Sequence, residues 1–383
     1  CTTLEIYKMQ LKTVISRNEN LNQMIHLMQF HTPMGRTALL QRGMMTCSAE
    51  IEDNRTPLDN LMNASSRLNE KNTETINHLL NDIRNIHTTL SHLQNGQKLD
   101  EIALFEIKTF AITIEKINEQ LQTWPSGIVT VPSLISTIDL LDPDGQRIKS
   151  FFIYDSYSIE LCQLRKKVQD LKDKIERTDV ESQINDWQQQ ISNHKIAVHE
   201  LENKILAQLS NRLRNNVAEL NDAFFAITQL DILLAQKRLN EQLNLIRPSI
   251  SCDEISYDGL FHPLVKAAML QKEQLFQPIS ITLQAEVTVL TGANMSGKSV
   301  LLQSMELAQL MFQYGFYVPA LSAKMVPVHE IFLLQGDHQN SQQGLSSFGA
   351  EVLQISTILK SVHQNKTILA LLDEPARTTN LAG

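Results

Sequence analysis

Gly292-Ala293-Asn294-Met295-Ser296-Gly297-Lys298-Ser299 fits the pattern G-x-x-x-x-G-K-[ST] and follows directly on the apolar, strand-like run Val287-Thr288-Val289-Leu290. The pattern is chemical before it is familiar. Glycines let the backbone approach close enough for successive N–H groups to point at phosphate oxygens, Lys298 supplies a point charge, and the Ser299 hydroxyl can ligate Mg²⁺. From Val300 to Tyr314, residues Leu301, Leu302, Met305, Leu307, Leu310 and Met311 recur at three- and four-residue spacings. That spacing predicts a helix whose N-terminus adds its dipole to the anion site. Strand, loop and helix thus come in the order that a nucleoside triphosphate site requires, with Gly292 through Val300 around the phosphates and Lys298 acting on the reacting one.

Further along, Thr367-Ile368-Leu369-Ala370-Leu371-Leu372 reads as a buried strand ending in Asp373-Glu374. An ordinary strand end with solvated acids would look the same. After a phosphate loop, however, the pair reads as a second nucleotide motif, with Asp373 on the Mg²⁺ side and Glu374 polarising the attacking water.

At this point the residues resemble a family. Thr291 to Ser299, with Asn294-Met295 inside the loop and Tyr317-Val318-Pro319-Ala320 after it, closely resembles the nucleotide loop of MutS-family ATPases. Gly344-Leu345-Ser346-Ser347-Phe348-Gly349-Ala350-Glu351 looks like the family's signature segment, and Leu372 to Thr379 like its acidic strand end and following loop. Upstream, Leu4-Glu5-Ile6, Thr32-Pro33-Met34-Gly35-Arg36, Leu230-Asp231-Ile232-Leu233 and His262-Pro263-Leu264-Val265 look like landmarks of the family's core. The resemblance implies ATP and Mg²⁺ as cofactors, and a homodimer closed through the ATPase domain. In that dimer the signature serine, Ser346 or Ser347, reaches the γ-phosphate bound by the other subunit. Ser346-Ser347 can also serve as the N-cap of a helix running from Phe348 to Leu359, and the two roles can coexist.

Composition bounds the rest. With 383 residues the chain exceeds what one core usually serves, so several domains are expected. Four cysteines without metal or C-x-x-C spacing read as buried small side chains in a reducing compartment. No apolar segment long enough for a bilayer and no leader peptide are visible, which points to a cytoplasmic protein without a membrane partner. A net charge of −8 gives no overall attraction to nucleic acid.

The first 250 or so positions are poor in Gly and Pro and read as long helices. Trp124-Pro125-Ser126-Gly127 and Asp142-Pro143-Asp144-Gly145 bracket a stretch in which Ile128-Val129-Thr130-Val131 is a strand or an extended link. Then Leu161, Leu164, Val168, Leu171 and Ile175 step by three and four, as do Ile184, Trp187 and Ile191, and again Val198, Leu201 and Ile205. Two antiparallel coiled-coil arms with a reversal near Thr178 to Glu181 follow from that spacing, a plain bundle helix being the alternative. The Arg165-Lys166-Lys167 cluster is either a solvated face or a phosphate contact.

The arms leave no room for the DNA clamp of mismatch-repair members, and no Phe-x-Glu wedge that would read a mismatch occurs. At Gly336-Asp337-His338-Gln339-Asn340 an amide stands where repair members carry a Mg²⁺-side acid, which implies slow hydrolysis, and the loop Pro375-Ala376-Arg377-Thr378-Thr379-Asn380 instead resembles that of MutS-related ATPases associated with reactivating B12-dependent aminomutases. The chain stops at Gly383, just past the acidic strand, which suggests a truncated protein. The expected architecture is multidomain α and α/β: a helical core over 1–158, lever arms and a return helix over 159–250, and an ABC-type P-loop ATPase domain over 251–383. The expected function is an ATP-binding and hydrolysing conformational switch. It acts either as a DNA mismatch-repair-related, DNA-binding ATPase, or as a chaperone-like ATPase that remodels a protein partner such as a cobalamin-dependent aminomutase.

Overall fold

The computed structural model describes residues 9–293, 296–335 and 347–374. They form two compact units, the first made of three chain segments (up to Phe30, Arg36–Ser65 and Ile232 onward), the second of His31–Gly35 with Ser66–Asp231.

The second unit is helical. It comprises α5 (Glu70–Asn81), α6 (His87–Gln94), α7 (Glu101–Leu121), α8 (Ile135–Leu141), α9 (Ile159–Ile175), α10 (Glu181–Leu213) and the first half of α11 (Val217–Leu243). α7 starts where Asp100 accepts the Ala103 N–H at 2.8 Å, and its apolar residues Leu104, Ile107, Ala111 and Ile114 are all fully buried. Both follow from local rules: an acidic N-cap satisfies an orphan donor, and a wide apolar stripe must be covered. Lys108, on the same helix, is also fully buried. Its Nζ donates to the Tyr154 hydroxyl at 2.8 Å and lies 3.3 Å from Asp142 Oδ1, to which Tyr154 donates at 3.1 Å. Burial pulls the Lys108 ammonium below its ordinary pKa against the opposing effect of Asp142. For Asp142 burial works upward, but the Arg147 N–H and Lys108 outweigh it and the carboxyl ends below its usual value. Burial, with Asp142 beside it, pushes Tyr154 up to about 12.

α9 and α10 pack on each other across the short reversal at 176–180. Leu161, Leu171, Ile191 and Ile205 are buried along this seam, Leu164, Val168, Ile175, Ile184, Trp187, Val198 and Leu201 half-buried, while Lys166 and Lys167 are exposed. Arg165 does not belong with those two lysines. It donates to Ile153 O at 2.8 Å, to Asp155 at 2.6 Å and to Glu202 of α10 at 2.7 Å, so it ties the base of both arms to the preceding segment. The 124–145 region has turns at both ends, as its residues predict, and Ile128 to Val131 is an extended link outside any ladder. Between link and turn lies α8, which the sequence reading did not anticipate.

In the first unit, α1 (Leu11–Ile15), α2 (Glu19–Leu27), α3 (Pro33–Gln41, which begins in the second unit) and α4 (Ser48–Ala64) precede the sheets. After α11 come β1 (Ser249–Ile250), β2 (Glu254–Leu260), α12 (Pro263–Gln271), β3 (Ile279–Gln284), α13 (Lys298–Gln313), β4 (Ser322–Met325), β5 (Glu330–Gln335), α14 (Ser347–His363) and β6 (Ile368–Asp373). One sheet has the order β1-β4-β2-β3, with β2 antiparallel to both neighbours and β1 parallel to β4; the other is the parallel pair β5-β6. α13 and α14 both pack on β5 and β6. Buried Arg55 of α4 donates to Pro248 O at 2.9 Å, and Asp59, one turn on, accepts from Arg247 at 2.7 Å and from Tyr317 at 2.9 Å.

Two expectations need correction. Val287 to Leu290 is not a strand among the described residues: β3 ends at Gln284, and Val287 and Val289 are exposed. A strand-like pattern is local, but a ladder needs a partner edge, and no described strand pairs with this run. The three cysteines among the described residues are not buried either, since Cys47 and Cys252 are exposed and Cys162 half-buried; all three are free thiols, and Cys1 lies outside the described residues.

Candidate functional site

The loop before α13 is built around two glycines. Gly297, the residue before the helix, sits in the left-handed region at φ +91°, where a side chain would be strained. Gly292 is held close: a Cβ there would lie 2.9 Å from Ser296 Oγ. The loop is cinched by the Ser296 N–H donating to Ala293 O at 3.2 Å, and α13 begins with the Leu301 N–H on Gly297 O at 2.9 Å. Lys298 folds back over it, its Nζ donating to Gly292 O at 2.9 Å and Ala293 O at 3.1 Å. Ser299 is exposed in the first turn of the helix, next to Val300.

Chemically this is a cradle for an anion. The first N–H groups of α13 have no intrahelical acceptor, the dipole is positive there, and an ammonium is parked on carbonyl oxygens that a phosphate can replace. The glycines fit that use, since a side chain at 292 would press on Ser296 and the left-handed backbone at 297 disfavours one. Asn294, Met295 and Ser346, expected in the site, lie outside the described residues; Ser347 is the first residue of α14.

Asp373 ends β6, opposite Gln335 of β5, and Glu374 follows with a left-handed backbone at φ +47°. A non-glycine residue there is uncommon, and such conformations concentrate at functional turns. α13 packs on the strand that carries these acids, so the loop's helix lies against the acid-tipped strand.

Two features escaped the sequence reading. Glu306, on α13, accepts from Asn18 Nδ2 at 2.8 Å, and Asn18 in turn caps α2 by accepting the Leu21 N–H at 2.8 Å. Burial pushes the Glu306 carboxyl up to about 7 despite that hydrogen bond. Asp231, fully buried, accepts the His31 N–H and the Thr32 N–H, each at 2.9 Å, and the Thr32 hydroxyl at 2.6 Å. Both partners stand in stretches singled out in the sequence, yet only their meeting shows what they do.

Residues 288–383 match the family model for MutS domain V. The chain is similar to the Endonuclease MutS2 of Lactobacillus acidophilus, with 32% identity over 172 residues, and to that of Streptococcus pneumoniae, with 33% over 173. The match takes in 44% and 45% of this chain and spans only 21% of each relative's length. The last quarter of the chain, residues 288–383, thus carries the pattern of MutS domain V.

Proposed function

We propose that this chain is an ATP-binding and hydrolysing conformational switch of the MutS type, acting on DNA. The observation that carries the reading is Lys298 clasped over Gly292 and Ala293 at the start of α13, with Asp373 and Glu374 on the strand beneath that helix. In this reading Lys298 exchanges its two carbonyl partners for the β- and γ-phosphates, the Ser299 hydroxyl and Asp373 hold Mg²⁺, and Glu374 orients the attacking water. Backbone N–H groups from Gly292 to Val300 bind the remaining phosphate oxygens, Asn294 and Met295 included. Mg²⁺ supplies charge neutralisation between the phosphates when bound. Ser346 or Ser347 completes the site across a homodimer formed through the region 251–383. Action on DNA is supported by the MutS2 relatives, which are named as endonucleases.

A second reading keeps the ATPase and exchanges DNA for a protein partner such as an aminomutase in the cytoplasm. It is favoured by the net charge of −8, and by arms α9 and α10 that reverse directly at 176–180 with Arg165 of the basic cluster already paired to acids. DNA binding titrated with salt separates the two. A phosphate-bound complex loses affinity steeply between 50 and 200 mM salt, about 10³-fold if six or so phosphates are held. Binding that is absent at low salt, with ATP turnover intact, supports the protein partner.

A further inference from the structure

The helix that begins at the phosphate loop ends in a turn gripped from several sides. Gly315, left-handed at φ +79°, donates its N–H to Phe312 O at 3.1 Å, and the Phe316 N–H reaches Met311 O at 2.9 Å. This is a two-bond helix cap. It leaves three successive carbonyls beyond the helix ladder, two of which take donors from residues 42–45 and the third from α11. The Met45 N–H donates to Gln313 O at 2.9 Å, Arg42 Nη1 to Tyr314 O at 2.8 Å, and Gln236 Nε2 of α11 to Gly315 O at 3.1 Å. The fully buried Gln313 side chain doubles the first contact, donating to Met45 O at 2.8 Å and to Val328 O at 2.6 Å. Gly315 is held at contact distance: a Cβ on it would collide with Asn54 Oδ1 and come within 3.1 Å of Arg42 Nη1.

These contacts have a mechanical meaning. α13 has 16 residues, a hydrogen-bonded rod about 24 Å long at 1.5 Å per residue. A shift imposed on Lys298 and Ser299 therefore reaches Tyr314 and Gly315 with little loss, because a close-packed helix moves as a body rather than deforming. At its far end the shift meets two long side chains with polar heads on adjacent carbonyls. Arg42 is rooted just after α3, and Gln236 is rooted on α11.

We propose that Arg42 and Gln236 are positioning residues that carry nucleotide occupancy at the phosphate loop, by way of α13, to residues 36–45 and to the 232–243 part of α11. The proposal rests on the reading of 292–299 as a nucleotide site. Arg42 also places a positive charge at the negative end of the helix dipole, so its grip strengthens when α13 moves toward it and weakens when α13 withdraws.

The test is amide hydrogen exchange on the full chain, with and without the magnesium complex of a non-hydrolysable ATP analogue. In the parent, the analogue slows exchange over 298–306 and changes it over 36–45 and 232–243. Arg42→Met, which keeps the stem and removes the donors, loses the change at 36–45 alone. Gln236→Met loses the change at 232–243 alone. Both keep the protection at 298–306, and Arg42→Lys, which keeps a charged donor, retains part of the effect at 36–45. A purely structural role would raise exchange in these segments with and without analogue, leaving the difference intact, and that result overturns the proposal. If the methionine variants do not fold, the parent decides, because protection at 298–306 without any change at 36–45 or 232–243 overturns the coupling. No protection at 298–306 in the parent overturns the nucleotide reading instead, and the coupling falls with it.

Discussion

Lys108 and Lys298 are both lysines whose ammonium groups touch protein oxygens, and they stand at opposite extremes of what such a group can be. Lys108 is fully buried, with a carboxylate and a phenol closed around it in a triad that has no room for a newcomer. Lys298 is half-exposed and holds two neutral carbonyls of its own loop. The first arrangement is costly to build and costly to open, because removing one partner strands the others in low dielectric. The second is easily traded, since a phosphate is a better acceptor than an amide carbonyl. Exchangeability, more than the residue type, separates the closed-in lysine from the one proposed to hold a phosphate.

The difference can be attacked from both ends. The largest effect is expected on chemistry at the strand end. Glu374→Gln should lower single-turnover hydrolysis by about 10²–10⁴-fold while ATP still binds, as for loss of a general base. Asp373→Asn should in addition blunt the Mg²⁺ dependence. Parent rates in both variants would remove these acids from the site. Next, Lys108→Met should destabilise the helical unit by about 3–5 kcal/mol, because Asp142 and Tyr154 remain buried without their cation. Chemical denaturation reads this directly, and ATP affinity of the folded fraction should not move. A loss of about 10²–10³-fold in turnover is expected for Lys298→Ala, comparable to removing one preorganised donor, with stability within about 0.5 kcal/mol of the parent. The two lysine variants together sharpen the contrast, since each should leave the other's readout untouched.

The smallest effect concerns Glu306. Its folded pKa, about 7, lies above that of a free glutamate, so the folded state binds the proton more tightly than the unfolded one. Stability from this group is therefore fully present below about pH 4.5 and is lost as pH rises through 7, by about 2–3 kcal/mol in all. Glu306→Gln, which can still accept from Asn18, should flatten the melting temperature between pH 5.5 and 8. An unchanged pH profile in that variant would show the carboxyl to be solvated.

What could be read from sequence was what is local. Gly292, Gly297, Lys298 and the three- and four-residue spacing that follows them lie within a few turns of one another, so loop and helix were legible, as was the seam of α9 and α10. Failures came where a distant partner decides. Val287 to Leu290 has the composition of a strand, but pairing is settled elsewhere in the chain. Arg165 looked like part of a basic face until Glu202, on the returning arm, claimed it. Glu306 reads as a surface position of an amphipathic helix, and only the packing of α2 beside it, where Asn18 meets it, makes it a half-buried acid. The short α8 was hidden for another reason: with seven residues between turn-forming neighbours, it is too brief for periodicity to outweigh the turns.

The three hydrogen bonds that Asp231 accepts from His31 and Thr32 also bear on how the chain assembles. They join positions 199 residues apart in sequence, and closing so long a loop in an otherwise disordered chain costs about 5 kcal/mol in configurational entropy. Bonds to a carboxylate return about 1.5–3 kcal/mol each, so the clasp barely holds against a disordered loop. It becomes secure once Ser66 to Leu230 has folded and already brought the two ends near each other. During synthesis from the N-terminus, His31 and Thr32 must wait for their acceptor until that whole segment has been made. The helical unit thus closes on itself late: its first residues, His31 to Gly35, cannot be locked to its last until the segment between them is complete.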